Sequence, residues 1–263
     1  MLSKTIQRVS KNMKENAFLF TELVNRDFQQ RYKRTVLGMA WSVLSPLLQL
    51  LVMMVVFSHM FGRSIEHYTI YLFAGNITFS YFSESTNNGM RSLMENSAIL
   101  SKINVPKYLF LLSQNVSALI NYALTIAVFF MFCIGDGVRF TPAFLTLWYP
   151  ILCFVIMNIG IGMVLSALYV FFRDIAYLYR VFLTLLSYLS AIFYTIDAFP
   201  AAFQRLFLLN PVYVNIKFWR LVVLDGIVPS PMYHLLLAGY AILFLAIGAF
   251  FYKKFNHRFV YYF

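Results

Sequence analysis

Charge is scarce in this sequence. Asp, Glu, Lys and Arg make up 12% of its 263 residues, against about a quarter in soluble domains, which excludes a soluble globular fold. Cysteine is reduced to Cys133 and Cys153, and histidine to His59, His67, His234 and His257. The two cysteines fall at different depths of separate apolar segments, so they read as buried thiols and not as a disulfide. The histidines are scattered, without zinc-site spacing. No GxxxxGK[ST] phosphate loop, HExxH pair or GxSxG elbow occurs, so no motif supports catalysis, and any uphill movement draws on a partner or an ion gradient. No short apolar stretch with a small-residue cleavage site follows Lys4, Arg8, Lys11 and Lys14, so the N-terminus does not read as a cleavable signal.

Apolar side chains take the place of charge. The chain is 61% hydrophobic and 19% aromatic, with 29 Phe and 18 Tyr, and its mean hydropathy is +0.71. The expected fold is an all-α integral membrane protein, one transmembrane domain over 1–263. Six spans are read at 36–61, 68–90, 108–134, 144–172, 176–194 and 232–252. The first would measure roughly 39 Å as a helix, enough to cross a bilayer with tilt, and Pro46 marks a kink in it. Residues 1–35 form an amphipathic interfacial region. Within 1–24, Ile6, Val9, Met13, Ala17, Phe20 and Val24 recur at helical spacing, which suits a helix in the headgroup plane or one packed on a partner. Between spans five and six, 195–231 is interrupted by Pro200, Asn210-Pro211 and Asp225-Gly226 yet rich in Phe, Leu and Trp. That pattern predicts outer re-entrant helices that dip into the membrane and return.

With the N-terminus inside, sixteen of the 21 basic residues fall on one face. Arg63, Arg139, Arg205, Lys217 and Arg220 fall on the other. The positive-inside rule then places both termini in the cytoplasm. The net charge of +11 becomes an orientation signal, and nucleic acid is not expected as a partner.

Several constellations bear on function. Glu84 is the strongest candidate for an ionisable group within a span, as a gate or as a carboxylate paired near the interface. Ser113, Ser117, Asn121 and Thr125 recur every four residues, either lining a hydrophilic pathway or bonding helices together. Aromatic faces stack on sugar rings, so Tyr68, Tyr71, Phe79, Tyr81 and Phe82 are candidates for a glycan passage; lipid-facing bulk is the alternative. Gly162 and Ser166 form a small-residue pair suited to close helix packing. The loop 91–107 puts Leu93, Ile99, Leu100 and Ile103 on one side of a short helix, which fits a partner's groove or the headgroup layer.

Arg26-Asp27, Arg31-Tyr32-Lys33, Leu37-Gly38, Trp41 and Pro46 together resemble the entrance to the first span in permeases of polysaccharide- and teichoic-acid-exporting ABC transporters, the type-2 ABC exporter family. Glu95 to Pro106 is similar to that family's cytoplasmic loop, Phe172-Arg173-Asp174-Ile175 to its motif after the fourth span, and Leu209-Asn210-Pro211 with Arg220 to its outer region. The family usually carries another basic or aromatic residue after Lys102, where Ile103-Asn104 stands here. The resemblance implies a homodimer over two copies of a separate ABC ATPase, which binds the ATP and Mg; this chain itself would hold no cofactor. The implied substrate is an O-antigen, capsular glycan or teichoic acid on an undecaprenyl-type lipid, crossing a bacterial inner membrane. Arg26, Arg31, Lys33 and Arg34 would then attract the carrier's pyrophosphate or simply anchor the topology, with Trp41 and Pro46 shaping the gate. Glu95, Asn96, Leu100, Lys102 and Pro106 would couple to the ATPase. A drug or small-lipid permease of the same superfamily shares the topology but not the collar. A membrane glycosyl- or acyltransferase would need grouped catalytic residues, and Asp27, Glu84, Glu95 and Asp174 show no such grouping.

Overall fold

The computed structural model describes residues 16–30, 33, 35–61, 66–102, 105–197, 199–256 and 258–262, and these contain helices and no strand. Helix α1 covers 16–30. There follow α2 (Trp41–Phe61), α3 (Tyr68–Glu95), α4 (Ser97–Leu100), α5 (Tyr108–Gly135), α6 (Trp148–Phe171), α7 (Ile175–Leu189), α8 (Ala201–Phe207), α9 (Pro211–Val223) and α10 (Pro231–Phe255). Prolines at the first positions of α9 and α10, where the missing N–H costs nothing, set their starts.

The expected all-α membrane architecture is present in its coarse form. Helices α5, α6 with its 3-10 lead-in from Pro142, and α10 are long and apolar enough to cross a bilayer; the pair α8–α9, bent by 103°, would make a fourth. Helix α3 runs unbroken for 28 residues, five past its expected end, but Ser, Thr, Asn and Glu fill its second half. The expected span 176–194 stops at Leu189. Fifteen residues reach only roughly 22 Å, short of a hydrocarbon core of about 30 Å. The chain turns there through Ala191, at φ 49°.

Helix α9 lies at the centre of the core. Val212, Val214, Ile216, Phe218, Trp219, Val222 and Val223 are fully buried within one cluster that includes residues of α3, α5 and α6. A second cluster gathers at the other end of the molecule from Leu23, Leu93, Leu100, Phe110, Val170, Tyr252 and Phe259. It corrects two expectations. The described part of the amphipathic helix points Leu19, Phe20 and Leu23 into its own chain, while Ala17 is exposed. In the loop 91–107, Leu93 and Leu100 are likewise filled by this cluster and not left for a partner. Residues 1–15 and Ile103 lie outside the described residues.

Helices α6 and α10 form the most extensive pair, and they touch through glycine. A Cβ on Gly160 would fall on the Phe244 carbonyl, and one on Gly248 would fall on the Gly160 carbonyl. Gly162 meets Gly89 of α3, and Ser166 bonds the Tyr252 hydroxyl, so this small-residue pair serves packing. Close backbone contact of this kind tolerates no added methyl without separating the helices. Gly160→Ala and Gly248→Ala should each destabilise the fold by about 1–3 kcal/mol, seen as a lower unfolding midpoint in detergent; an unchanged midpoint would refute this packing.

Candidate functional site

A cavity of about 390 Å³ that sets polar side chains into a mainly apolar wall opens between the first half of α2 and the middles of α3 and α5. Helical spacing builds each wall. Ser42, Ser45, Pro46 and Gln49 come from α2, Asn76, Ser80 and Glu84 recur every fourth residue of α3, and Asn121 and Thr125 do so on α5. The Asn121 amide donates to Glu84 Oε1 at 3.1 Å. Trp41, Tyr81 and Tyr122 complete the lining, the two tyrosine rings stacked at 4.4 Å. The structure thus brings together Trp41, Pro46, Tyr81, Glu84 and Asn121, which the sequence placed in two separate groups. Ser117 is buried beside the cavity, outside its lining.

The polar stripe of α5 therefore divides. Asn121 and Thr125 face the cavity, whereas Ser113 donates to Asp27 Oδ2 at 2.7 Å and fixes α1. Asp27 also accepts from Arg26 at 2.6 and 3.0 Å, and its side chain is 1% exposed. Arg26 is accordingly engaged within the collar. Lys33 is exposed; Arg31 and Arg34 lie outside the described residues.

The remaining aromatic candidates are dispersed. Phe82 sits in an apolar pocket against Tyr179 and Phe244, and Phe79 flanks a groove between α3 and α7. Tyr68 and Tyr71 are buried, donating to the carbonyls of Phe193 and Tyr194 at 2.9 and 2.6 Å. They surround Arg220, whose guanidinium lies 3.4 Å from the Tyr71 ring centroid. Arg220 donates to the carbonyls of Ala191 and Ile192, both at 2.8 Å, and of Tyr71 at 3.2 and 3.3 Å. It is 5% exposed. A second, larger cavity of about 860 Å³ lies over it, lined by Asp197, Lys217 and Asp225 among others.

Among the coupling candidates, Glu95 and Lys102 are exposed, Pro106 is half-buried, and Asn96 and Leu100 are buried. Asn96 Nδ2 donates to the Ser92 carbonyl at 2.8 Å, and its own carbonyl receives Ile99 and Leu100. This joins α4 to the end of α3. Lys107 donates to Asn256 at 2.6 and 3.0 Å, tying the loop to the C-terminal tail, and partial burial lowers its ammonium pKa below the ordinary value.

The profile of the ABC-2 type transporter family matches residues 19–222, from α1 through nearly all of α9. The chain belongs to this family. Over 95% of its length it is 30% identical to an O-antigen export system permease protein RfbA of Klebsiella pneumoniae, covering 98% of that protein. It is 24% identical to an RfbA permease of Myxococcus xanthus over 74% of this chain and 75% of that one. A polysialic acid transport protein KpsM of Escherichia coli is 22% identical over 87% of this chain and 90% of that one.

In this ABC-2 chain, sequence reasoning passed over two residues that position the site. Asp27 was read as part of a basic collar, although a carboxylate among arginines marks an ion pair. Arg220 enters the sequence reading as a charge of the outer face and as part of the family-like outer region, without a buried role. Its signal was a lone arginine in the apolar helix PVYVNIKFWRLVV, which in a membrane protein needs a buried partner. Gly75 of α3 supplies the room, since a Cβ there would lie 2.9 Å from Arg220 Nη2. Arg220→Ala leaves three carbonyls without their donor and should cost about 3 kcal/mol or more. Gly75→Ala, which crowds the guanidinium, should cost about 1–3 kcal/mol. Thermal unfolding in detergent with limited proteolysis at 190–200 checks both; a resistant Arg220→Ala protein would show that the break stands without the guanidinium.

Proposed function

We propose that this chain is the membrane permease of an ATP-driven exporter that moves a lipid-linked polysaccharide, such as an O-antigen, capsular glycan or teichoic acid, out across the bacterial cytoplasmic membrane. The end-to-end likeness to permeases named for O-antigen and polysialic acid carries this reading. The cavity agrees with it, for its hydroxyl, amide and carboxylate groups beside two tyrosines suit a hydroxyl-rich substrate.

In the finer reading, two copies form the pathway above two separate ATPase subunits, which bind the ATP and Mg. Six membrane-crossing segments run from a cytoplasmic N-terminus to a cytoplasmic C-terminus. Helices α8 and α9 dip into the outer leaflet and return, and the basic collar, where Arg31, Lys33 and Arg34 join Arg26, draws the pyrophosphate of an undecaprenyl-type carrier toward the gate.

The mechanism follows from the continuity of α3. Glu95 and Lys102 are the exposed surface that an ATPase can grip, and Asn96 ties that surface to the helix. From Glu95 back to Glu84 is roughly 16 Å of uninterrupted helix. A push on the loop therefore reaches the Glu84–Asn121 bond and alters the wall shared with α2, which Pro46 interrupts.

Replacing Glu95 and Lys102 together by Ser, with Leu93 and Leu100 kept, preserves the cluster that folds the loop. It should weaken coupling by about 0.5–2 kcal/mol, a two- to thirtyfold fall in export. Co-purification of an ATPase and its stimulation by reconstituted permease provide the measurement. Unimpaired stimulation and export would remove the loop from the mechanism.

A further inference from the structure

A third polar recess runs between α3 and α7, about 480 Å³ in volume, and neither the cavity nor the collar accounts for it. Ser83, Asn87 and Arg91 stand at four-residue intervals on α3, and Arg180, Thr184 and Ser187 stand one turn apart on α7. The two helices are held side by side by Tyr179, whose hydroxyl donates to Thr86 Oγ1 at 2.6 Å. Arg91 lies near the C-terminal end of α3 and Arg180 near the N-terminal end of α7, so both guanidiniums belong to the end of the groove nearer the 91–107 loop.

Asn87, Thr184 and Ser187 each donate within their own helix. Asn87 donates to the Ser83 carbonyl at 2.9 Å, Thr184 to the Arg180 carbonyl at 3.2 Å and Ser187 to the Thr184 carbonyl at 2.7 Å. The two guanidiniums have no hydrogen bond or ion pair among the described residues, and no acidic side chain lines the groove. Two uncompensated positive charges in a recess call for an anion with several acceptor oxygens, which a guanidinium fork matches in geometry. Beside these, exposed α7 is mostly hydrocarbon and aromatic: Leu178, Val181, Phe182, Leu185 and Leu189, with Tyr177 and Tyr188. An anion bound here would have hydrocarbon beside it.

We infer that the α3–α7 groove binds the phosphate or diphosphate group of a membrane lipid, held by Arg91 and Arg180, with the lipid's chain along the apolar face of α7. Building on the export reading, this groove holds the headgroup of the lipid-linked substrate apart from the glycan, which the α2–α3–α5 cavity faces.

The test uses the full-length chain in phosphatidylcholine nanodiscs, with a fluorescent polyprenyl diphosphate as the probe. The Arg91→Gln/Arg180→Gln protein should bind it at least roughly tenfold more weakly, since both charge-assisted contacts to the phosphate are lost. Arg91→Lys/Arg180→Lys should recover part of the affinity, and Lys253→Gln/Lys254→Gln, which removes equal charge elsewhere, should bind as the parent does. Polyprenol without phosphate should fail to compete. Undiminished binding by the glutamine variant overturns the site. Equal competition by inorganic pyrophosphate overturns the lipid assignment, and a changed oligomeric state with unchanged binding shows the groove to be a contact between copies. Glycan export by a complemented null strain is scored separately. Lost export with intact lipid binding rejects the groove and leaves the export reading standing, whereas arginine-dependent binding by a parent chain that exports no glycan does the reverse.

Discussion

The structure depends on one buried guanidinium and the three carbonyls it holds. A helix that ends away from water leaves carbonyls with nothing to satisfy them, and α7, which ends at Leu189, runs into the buried Ser190, Ala191 and Ile192. Arg220 takes up the carbonyls of Ala191 and Ile192, while Asn210 Nδ2 bonds the Leu189 carbonyl at 3.2 Å and Ser190 Oγ at 3.0 Å. Both residues belong to the α9 region, and Asn210 also caps α9 through the N–H groups of Val212 and Tyr213. Forming α9 and terminating α7 are thus a single event. Because Arg220 also bonds the Tyr71 carbonyl, the same interaction fixes the beginning of α3.

Helix α3 then carries that constraint through the molecule. Its first turns hold the arginine, its middle supplies Asn76, Ser80 and Glu84 to the cavity, and its last turn passes into α4 through Asn96. An inflexible rod pinned at one end transmits displacement from the other. Its close neighbours reinforce this, since Gly89 lies against Gly162 and Ser85 bonds Asn115 at 2.5 Å. These contacts leave little room for α3 to bend between the loop and the cavity.

Much of this was legible in the sequence, and the exceptions share a cause. The helices of the third, fourth and sixth expected spans were readable because hydropathy and length are local properties. So was the break in 195–231, because Pro200, Asn210-Pro211 and Asp225-Gly226 are local punctuation. The end of α7 was not, since 176–194 contains no Pro or Gly to mark a stop and the signal that stops it lies some thirty residues downstream at Arg220. Nor was the buried face of α1, where helical spacing alone favoured Ala17 and Val24. The bond from Ser113 to Asp27 turns Leu23 inward instead. Of the candidate site, the grouping of Trp41, Pro46, Tyr81, Glu84 and Asn121 emerges only from tertiary packing, although each residue was noticed separately.

Polar residues in an apolar chain acquire meaning from whether their bonds close within the fold. Asp27, Asn96, Ser113, Thr86, Tyr179 and Arg220 have closed arrangements, each joined to identified protein atoms, and removing one would expose a partner. Glu84 and Asn121 bond each other but do so at the wall of an open cavity. The tyrosines divide likewise: Tyr68 and Tyr71 give their hydroxyls to backbone carbonyls and stabilise the break, whereas Tyr81 presents part of its surface to the cavity. A stripe of serine and asparagine in a membrane helix is therefore not by itself evidence of a pathway. In this chain the same stripe on α5 is a fastener at Ser113 and a cavity wall two turns later at Asn121.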